Sequence, residues 1–438
     1  MREPGALPGH ILQPWVPPPR PWESWRDSES FWANALRLGS GVLADRTRRY
    51  WALTFLGYLV NLGAVPALAL PRRWEGVAVL LIVERVGKAL RIPPRDALLS
   101  HATAQVGHGR GFGIHEALDQ VGAVAGPLLV AGVLASGSGY RIAFAALSVP
   151  ALISLVFLAA ARAAVWQPRI FEAARQGPSD APLPAGVCWY LAGVGLVAAG
   201  YADFSLLSFH FVRAETVPAS AIPLLYALAQ GSDALAALLG GRWFDRAGLR
   251  ALVVLTLVAA PFAPLGFLGG AYAALAAGVL WGIGLGVQES LLRAAVARLV
   301  PSHRRASAFG LFHAVFGVCW FAGSALMGAL YEISPAALVA FSLTCQVAAL
   351  PCFAAAGWAT ASHMPTAMAA VRKLADGRGG VLPRRGLRPP GDRASTGAGG
   401  SWLDPLSQPL PAGKRGRDPR PAEGSPAARS SPRVLPDR

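Results

Sequence analysis

Apolar residues along this chain fall into blocks of about twenty, separated by short polar segments. A helix of that length spans about 30 Å, which matches the hydrocarbon core of a bilayer. The blocks should be helical, because backbone polar groups in lipid must be satisfied within the segment. The pattern predicts an all-α, polytopic membrane protein with about ten transmembrane helices, at residues 50–70, 74–92, 112–136, 141–163, 186–209, 220–242, 249–270, 271–291, 306–330 and 334–359.

The composition supports this class of protein. Of the 438 residues, 53% are hydrophobic and 15% are charged, whereas an average globular chain is about one quarter charged. These values exclude a soluble enzyme, a secreted disulfide scaffold and a fibrous protein. The formal net charge is +16, and half of it lies in residues 361–438, which hold 14 basic and 6 acidic residues. Much of the rest lies in short loops, so we expect no nucleic-acid partner.

The residues that carry enzymatic or metal chemistry form no recognisable pattern. All four cysteines lie inside apolar blocks without a CxxC pair, so neither a disulfide nor a metal site is expected. No nucleophile and base can be paired. The glycines within residues 107–113 follow no strand and precede no Walker lysine. We therefore expect no enzyme, no cofactor and no use of ATP.

Charge and composition also predict the topology. Basic residues, among them Arg95 and Arg293, concentrate in the predicted loops of one side, and the positive-inside rule assigns that side to the cytoplasm. An even number of spans then leaves both termini in the cytoplasm. Proline-rich and glycine-rich ends are expected to be disordered. The predicted organisation is an N-terminal segment 1–34, a helical bundle 35–163, a cytoplasmic loop 164–185, a second bundle 186–360 and a basic tail 361–438.

A short hairpin sequence occurs twice. Residues 41–49 read GVLADRTRR, and residues 241–250 read GRWFDRAGLR, so the two Asp-Arg pairs are 200 positions apart. A second repeat pairs Phe112-Gly113 with Phe309-Gly310, 197 positions apart. Each hairpin copy follows one apolar block and precedes another. Two tandem bundles of the same topology are typical of transporters built from parallel repeats.

The repeated hairpin resembles the GxxxDRxGxR loop signature of the major facilitator superfamily, between helices 2 and 3 and again between 8 and 9. The first copy has Arg48 at the glycine, and the second has Leu249 at a usually basic position. The third predicted span is similar to that family's antiporter motif, through Gly113, Gly122 and Gly126-Pro127, with Val130 and Ala131 in place of a glycine pair. The second is similar to the helix-4 motif, with Arg85 as its membrane arginine but Lys88 and Ala89 at its last positions.

The resemblance covers about residues 35–360 and implies a secondary transporter that moves a small solute by alternating access. It further implies proton coupling, and the partial antiporter motif favours efflux. The expected partners are the solute, protons and the lipid bilayer, and the expected state is a monomer in a bacterial inner membrane. Against the family's twelve helices, helix 1 and most of helix 2 have no counterpart. The alternatives are a truncated, non-transporting membrane protein or a receptor-like component that keeps the fold.

Ionisable residues inside predicted spans are candidates for function, because their burial in lipid is costly. Five of them should share one depth near the cytoplasmic ends of the second and third spans, as proton- or charge-coupling candidates: Glu84, Arg85, Lys88, Glu116 and Asp119. A buried carboxylate beside a base can bind and release a proton. The alternative is a structural cluster of ion pairs, since Lys88 lies four residues after Glu84 on the same helix.

The second half contains four solute-cavity candidates. Gln230 and Asp233 lie near the middle of the sixth span, where transporters bind their solutes. Asp203 lies in the outer third of the fifth span. Glu289 is expected near the cytoplasmic end of the eighth span, where an interfacial carboxylate is the alternative interpretation.

The hairpin residues are implicated by the resemblance alone. It implies that Asp45 and Asp245, with Arg46 and Arg246, brace helix ends as a latch on the outward-facing state. A carboxylate near a helix N-terminus is stabilised by the helix dipole. For the two arginines, a positive-inside signal is the alternative.

Overall fold

The computed structural model describes residues 35–164 and 184–375, without the side chains of residue 185 and residues 360–375. Within these ranges regular structure is helical throughout, as predicted. We number the helices α1 (35–47), α2 (Tyr50–Ala67), α3 (Trp74–Ala102), α4 (His108–Ala135), α5 (Tyr140–Ala146), α6 (Ser148–Ala164), α7 (Ala185–Ala199), α8 (Phe204–Arg213), α9 (Ile222–Ala247), α10 (Leu249–Ala259), α11 (Phe262–Leu268), α12 (Ala271–Gly286), α13 (Leu292–Leu299), α14 (Arg305–Ile333) and α15 (Pro335–Ala375).

Each of the ten predicted spans corresponds to helical structure. Within the described residues, nine helical stretches are long and apolar enough to cross a membrane. The remaining predicted span is α3, which has 29 residues but carries seven charged side chains. The predicted segment 1–34, nearly all of the loop 164–185 and the tail beyond 375 lie outside the described residues. The predicted tail boundary at 360 falls inside α15.

Several helices extend farther than the hydropathy pattern predicted. α3 continues to Ala102, and a π-helical segment, Val287–Leu291, joins α12 to α13 and carries the eighth span to Leu299. Arg95 and Arg293 therefore lie within helices, and their assignment to loops was wrong. Charged residues lower the local hydropathy, although arginine, leucine and alanine favour the helix.

The repeat in the sequence is also a repeat in the structure. We call residues 35–164 the first half and residues 184–375 the second half. The helical stretches Trp74–Ala102 and Ala271–Leu299 both have 29 residues and begin 197 positions apart. The helices that follow them, α4 and α14, begin at His108 and Arg305, again 197 positions apart.

The two halves meet closely at one end of the bundle, which we call the hairpin end because Asp45 and Asp245 lie there. Gly109 of α4 crosses Gly241 of α9 so closely that a Cβ on either glycine would clash with the carbonyl oxygen of the other. The equivalent crossing brings Gly41 of α1 equally close to the carbonyl oxygen of Ala306. Small residues allow such helix contacts in a membrane.

Three helical stretches of the second half are interrupted. The stretch Gly186–Arg213 breaks at residues 200–203, between α7 and α8, and the stretch Leu249–Leu268 breaks at residues 260–261, between α10 and α11. The π-helical segment Val287–Leu291 interrupts the third, Ala271–Leu299, and the equivalent position of α3 holds Pro93 and Pro94. Proline residues and π-helical turns bend helices and often mark functional positions.

Candidate functional site

A hydrogen-bonded cluster joins the two halves through Gln120 of α4. The Gln120 side-chain nitrogen Nε2 donates to Glu116 Oε1 at 2.9 Å and to Asp233 Oδ2 at 2.6 Å. The Gln120 oxygen accepts from Gln230 Nε2 at 2.6 Å. Because Asp233 and Gln230 lie on α9, this amide connects polar groups of both halves. Sequence reasoning had placed Glu116 and Asp233 in separate sites.

A buried ion pair crosses between the halves at the same place. Arg293 Nη2 of α13 lies 2.5 Å from Glu116 Oε2 of α4, and their side chains are only 6% and 1% exposed. The guanidinium also lies over the ring of Phe112, 5.8 Å from its centroid. Removing one partner from such a pair leaves an uncompensated charge, which is costly away from water.

Carboxylates outnumber bases in this cluster. Asp233 is fully buried, and its Oδ1 has no hydrogen-bond partner among the described residues. Glu116 and Glu289 act on it electrostatically as like charges, and Arg293 acts as the opposite charge. Three carboxylates around one guanidinium favour the binding of a proton or of a cationic group, because unpaired buried charges are expensive.

Glu289 lies farther from the helix end than the sequence pattern predicted. It belongs to the π-helical segment, ten residues before the end of α13 at Leu299, or about 15 Å from the hairpin end. Glu289 is exposed, whereas Gln288 and Ser290 beside it are buried. Its side chain therefore borders an opening between helices, close to the charges of Glu116 and Arg293.

The structure divides the five residues expected to share one depth. Glu84 contacts Lys88 at 2.7 Å and Arg85 at 3.6 Å, and it accepts a hydrogen bond from Asn61 at 3.0 Å. Glu84 lies about 27 Å from the end of α3 at Ala102, because that helix continues well beyond the predicted residue 92.

The other two of the five lie closer to the hairpin end. Glu116 is about 12 Å from the start of α4 at His108. Asp119 of the same helix contacts His115 at 3.4 Å. The expectation of a common depth was therefore wrong, and Glu116 is paired with the second half.

Asp203 lies apart from the Gln120 cluster, at the break between α7 and α8. It accepts hydrogen bonds from Trp320 Nε1 at 2.8 Å and Ser324 Oγ at 2.7 Å, both on α14. Although Asp203 is the N-cap residue of α8, its side chain makes no capping hydrogen bond. The neighbouring Tyr201 hydroxyl donates to the carbonyl of Trp281. Asp203 thus connects the interrupted helix to α14 within the second half.

A second contact between an acid and a base crosses between the halves. Asp96 of α3 is fully buried, and its carboxylate contacts Arg95 at 2.8 Å and His313 Nε2 of α14 at 3.0 Å. Beside it, Arg305 Nη1 donates to Ser100 Oγ at 3.3 Å. Sequence reasoning did not select Asp96 or His313 as candidates.

The two hairpin aspartates contact helix starts of the opposite half. Asp45 Oδ2 accepts from the backbone N–H of Ser307 at 2.7 Å. Asp245 accepts from the backbone N–H groups of Gly109 at 2.7 Å and Arg110 at 2.8 Å. Each carboxylate therefore satisfies free donors at a helix N-terminus, as α14 and α4 require.

The two hairpin arginines have a different environment. Arg46 and Arg246 are exposed, and neither contacts a carboxylate within the described part of the chain.

Four residues of the inter-half contacts were missed from the sequence, although a signal existed for each. Gln120 lies one helical turn after Glu116. Applied to charged residues, the 197-residue repeat pairs Asp96 with Arg293 and Glu116 with His313. In each pair an acid in the first half corresponds to a base in the second half, so a search for identical repeated residues does not find them.

Comparison with known proteins agrees with the repeat and with the helix topology. The family model described as Major Facilitator Superfamily matches residues 33–324. The uncharacterized protein Rv2265 of Mycobacterium tuberculosis is 42% identical over 325 residues, which are 73% of this chain and 80% of that protein. The uncharacterized MFS-type transporter MJ1317 of Methanocaldococcus jannaschii is 26% identical over 322 residues, 70% of this chain and 78% of that protein.

Solved structures share the fold. The crystal structure of a bacterial homologue of the iron transporter ferroportin in the outward-facing state has a TM-score of 0.61 at 14% identity. The similarity covers 79% of this chain and 93% of the other.

Proposed function

This chain belongs to the major facilitator superfamily and is a membrane transporter of that family, and on that premise we propose that it is a proton-coupled secondary transporter. In this proposal a small solute crosses by alternating access between the two halves. The solute binds near Gln230, Asp233 and Glu289, where polar groups converge between helices of both halves.

The main observation behind alternating access is the matched pair of aspartate contacts at the hairpin end. Asp45 and Asp245 lie at equivalent positions, and each binds the N-terminus of a helix in the opposite half. Both contacts hold the halves together at one end and must break before that end can open. We assign them the role of a latch on the state that is closed at the hairpin end.

Proton coupling is supported by the chemistry of the central cluster. Glu116 is ion-paired with Arg293, and Asp233 and Glu289 interact electrostatically with the same guanidinium. A carboxylate that alternates between a buried partner and an open cavity can exchange a proton during the cycle. The Glu84–Lys88 pair, formed within one helix, is assigned a structural role.

The orientation and direction of transport are proposed from sequence features. The hairpin end carries Arg46, Arg48 and Arg49 and is assigned to the cytoplasm by the positive-inside rule, with both termini on that side of a bacterial inner membrane. Efflux is proposed because the stretch Gly113 to Pro127 resembles the antiporter motif. The protein is proposed to act as a monomer.

Proton uptake by proteoliposomes tests this proposal. The purified protein is reconstituted with a pH-sensitive dye inside the vesicles, and a broad panel of small solutes is applied on one side. We expect at least one solute to drive proton movement that protein-free vesicles do not show. An ionophore added at the end verifies that every preparation can report a proton gradient. Solute flux without proton movement would overturn the coupling, and absence of both across the panel would overturn transport.

A further inference from the structure

The two acid–base contacts between the halves occupy equivalent positions, but the acid and the base are exchanged between those positions. In one contact the acid Asp96 lies on α3 and the base His313 on α14, 3.0 Å apart. In the other the base Arg293 lies on α13 and the acid Glu116 on α4, 2.5 Å apart. Asp96 and Arg293 are related by the 197-residue repeat, as are Glu116 and His313. The first half thus supplies the acid to both contacts.

Separation of the halves has different consequences at the two contacts. If His313 moves away, Asp96 keeps Arg95, a base of its own half that contacts it at 2.8 Å. That carboxylate stays paired. The Asp96–His313 contact can therefore break without leaving a buried charge unpaired.

The Glu116–Arg293 contact is not compensated in the same way. Arg293 lies four residues after Glu289 in the second half, and the charges of these two side chains interact. In the first half, Glu116 has the uncharged Gln120 as its hydrogen-bond partner, while Arg95 on the neighbouring helix is bound to Asp96. Opening would separate the ionised Glu116 from Arg293 and leave it without a bound base, so the attraction between these two charges favours the closed state as long as Glu116 is ionised.

We infer that Glu116 is a proton-binding site of this transporter and that the hairpin end opens only when Glu116 carries a proton. One proton joins the carboxylate, its ion pair with Arg293 is lost, and the guanidinium is transferred to Glu289 within the second half. Gln120 accompanies Glu116 in both states. This inference rests on the alternating-access function proposed above and names the residue that couples proton binding to opening.

Four charged groups interact directly with Glu116: Asp119 on α4, Asp233 on α9, Glu289 in the π-helical segment and Arg293 on α13. The groups that interact with these or with their neighbours are Arg37 on α1, Arg91, Arg95 and Asp96 on α3, His115 on α4 and His313 on α14. Two carboxylates of this group contact a base of the other half, Asp96 and Glu116. Asp96 keeps Arg95 when the halves separate, whereas Glu116 loses its bound base, so protonation of Glu116 acts directly on the separation.

A buried cysteine can report this opening without knowledge of the solute. Ser100 is fully buried near the hairpin end and accepts a hydrogen bond from Arg305 of the other half. Ser100→Cys, introduced after the four native cysteines are replaced by alanine, is a conservative reporter. The rate of maleimide labelling is measured in proteoliposomes across a pH series and normalised at each pH to the denatured protein, because thiolate reactivity itself depends on pH.

Four further variants, each carrying the reporter, complete the design. Glu116→Gln removes the titratable group, and Glu116→Asp keeps one. Arg293→Gln removes the base, which keeps the test informative if Glu116→Gln does not fold. Glu84→Gln is the matched control, because Glu84 is paired with Lys88 on its own helix. Gel filtration verifies folding of each variant.

We expect labelling of the reporter to rise as the pH falls, because protonation of Glu116 releases the contact. Glu116→Gln and Arg293→Gln should label rapidly at all pH values, at least about tenfold faster than the parent at high pH. Glu116→Asp and Glu84→Gln should keep the pH dependence. The inference is overturned if Glu116→Gln and Arg293→Gln keep that dependence, if Glu84→Gln abolishes it, or if no variant is labelled at any pH. If solute-driven proton uptake fails while the labelling pattern is as expected, the proposed transport is contradicted and the role of Glu116 in opening stands.

Discussion

Phe112 and Phe309 pack against each other with ring centroids 5.9 Å apart, and both are fully buried. They are the fifth residues of α4 and α14 and are related by the 197-residue repeat. Two equivalent residues can touch only close to the axis that relates the two halves. The contact therefore marks that axis near the hairpin end. The two close helix crossings, at Gly109 and at Gly41, are equivalent about this axis, and so are the contacts of Asp245 and Asp45.

The first prediction concerns the close helix crossing. Gly109→Ala places a methyl group against the carbonyl oxygen of Gly241, so the helices must shift, at a cost of about 1–3 kcal/mol. We expect a lower unfolding temperature in detergent and faster labelling of the Ser100→Cys reporter. Gly122→Ala on the same helix is the control, because beyond its chain neighbours and its own helix backbone no described atom lies within 4 Å of its Cβ position. Equal stability of the two variants would contradict the close crossing.

The second prediction concerns the proposed latch. Asp245 accepts two backbone N–H groups of the opposite half, whereas Asp45 accepts one there and one hydroxyl, that of Tyr50, in its own half. Substitution by alanine should favour opening of the hairpin end by about 0.5–2 kcal/mol, and more for Asp245→Ala than for Asp45→Ala. Labelling of the Ser100→Cys reporter measures this shift.

The control for the latch is the exposed Arg46. Arg46→Gln should leave reporter labelling unchanged, because this arginine contacts no carboxylate within the described residues. A shift as large as that of Asp45→Ala would mean that net charge at the hairpin end, rather than the aspartate contacts, governs opening.

The sequence predicts the helices and the repeat well because both are local properties. Hydropathy over twenty residues identifies a membrane span, and the Asp-Arg hairpins at 41–49 and 241–250 report the duplication directly. The ends of spans are harder to predict where charged residues are paired inside the protein. Arg95 and Arg293 reduce the hydropathy of helices that continue past them to Ala102 and Leu299.

The partners of the candidate residues could not be predicted from local sequence. Glu116 and Asp119 are three residues apart, yet Glu116 pairs with Arg293, 177 positions away, and Asp119 pairs with His115 of its own helix. The direction of each side chain depends on which helix packs beside it. Gln120 escaped selection because it is uncharged, although it connects Glu116 with Asp233.

The third prediction tests Asp233. Asp233→Asn keeps an oxygen that can accept the Gln120 hydrogen bond but removes a titratable carboxylate from the buried cluster. We expect normal insertion and solute-driven proton uptake reduced to the level of protein-free vesicles, because a membrane carboxylate of this kind serves solute or proton contact. Ser232→Ala is the control, since Ser232 is half-buried, carries no charge and has a hydroxyl that bonds to the Leu228 carbonyl of its own helix. Normal uptake by a normally expressed Asp233→Asn protein would remove Asp233 from the site.

The fourth prediction concerns the interrupted helix. Asp203→Ala leaves the donors Trp320 and Ser324 without their acceptor, which should lower the free energy of unfolding by about 1–3 kcal/mol. Once Asp203 is alanine, Ser324→Ala should cost little more, because the shared interaction is already lost. Thermal unfolding of the two single variants and the double variant measures this coupling. Additive losses would show that the two residues stabilise the protein independently.

The fifth prediction separates a buried ion pair from an exposed one. Arg293→Gln leaves Glu116 buried and unpaired, and such a loss destabilises a protein by about 3–5 kcal/mol. Adding Glu116→Gln should restore much of that stability, because two amides can bond to each other without a buried charge. Lys88→Gln should cost no more than about 1 kcal/mol, since Lys88 is 39% exposed beside Glu84. Unfolding temperatures in the same detergent compare all three variants. A double variant no more stable than Arg293→Gln would mean that packing, and not charge pairing, makes Arg293 necessary to the fold.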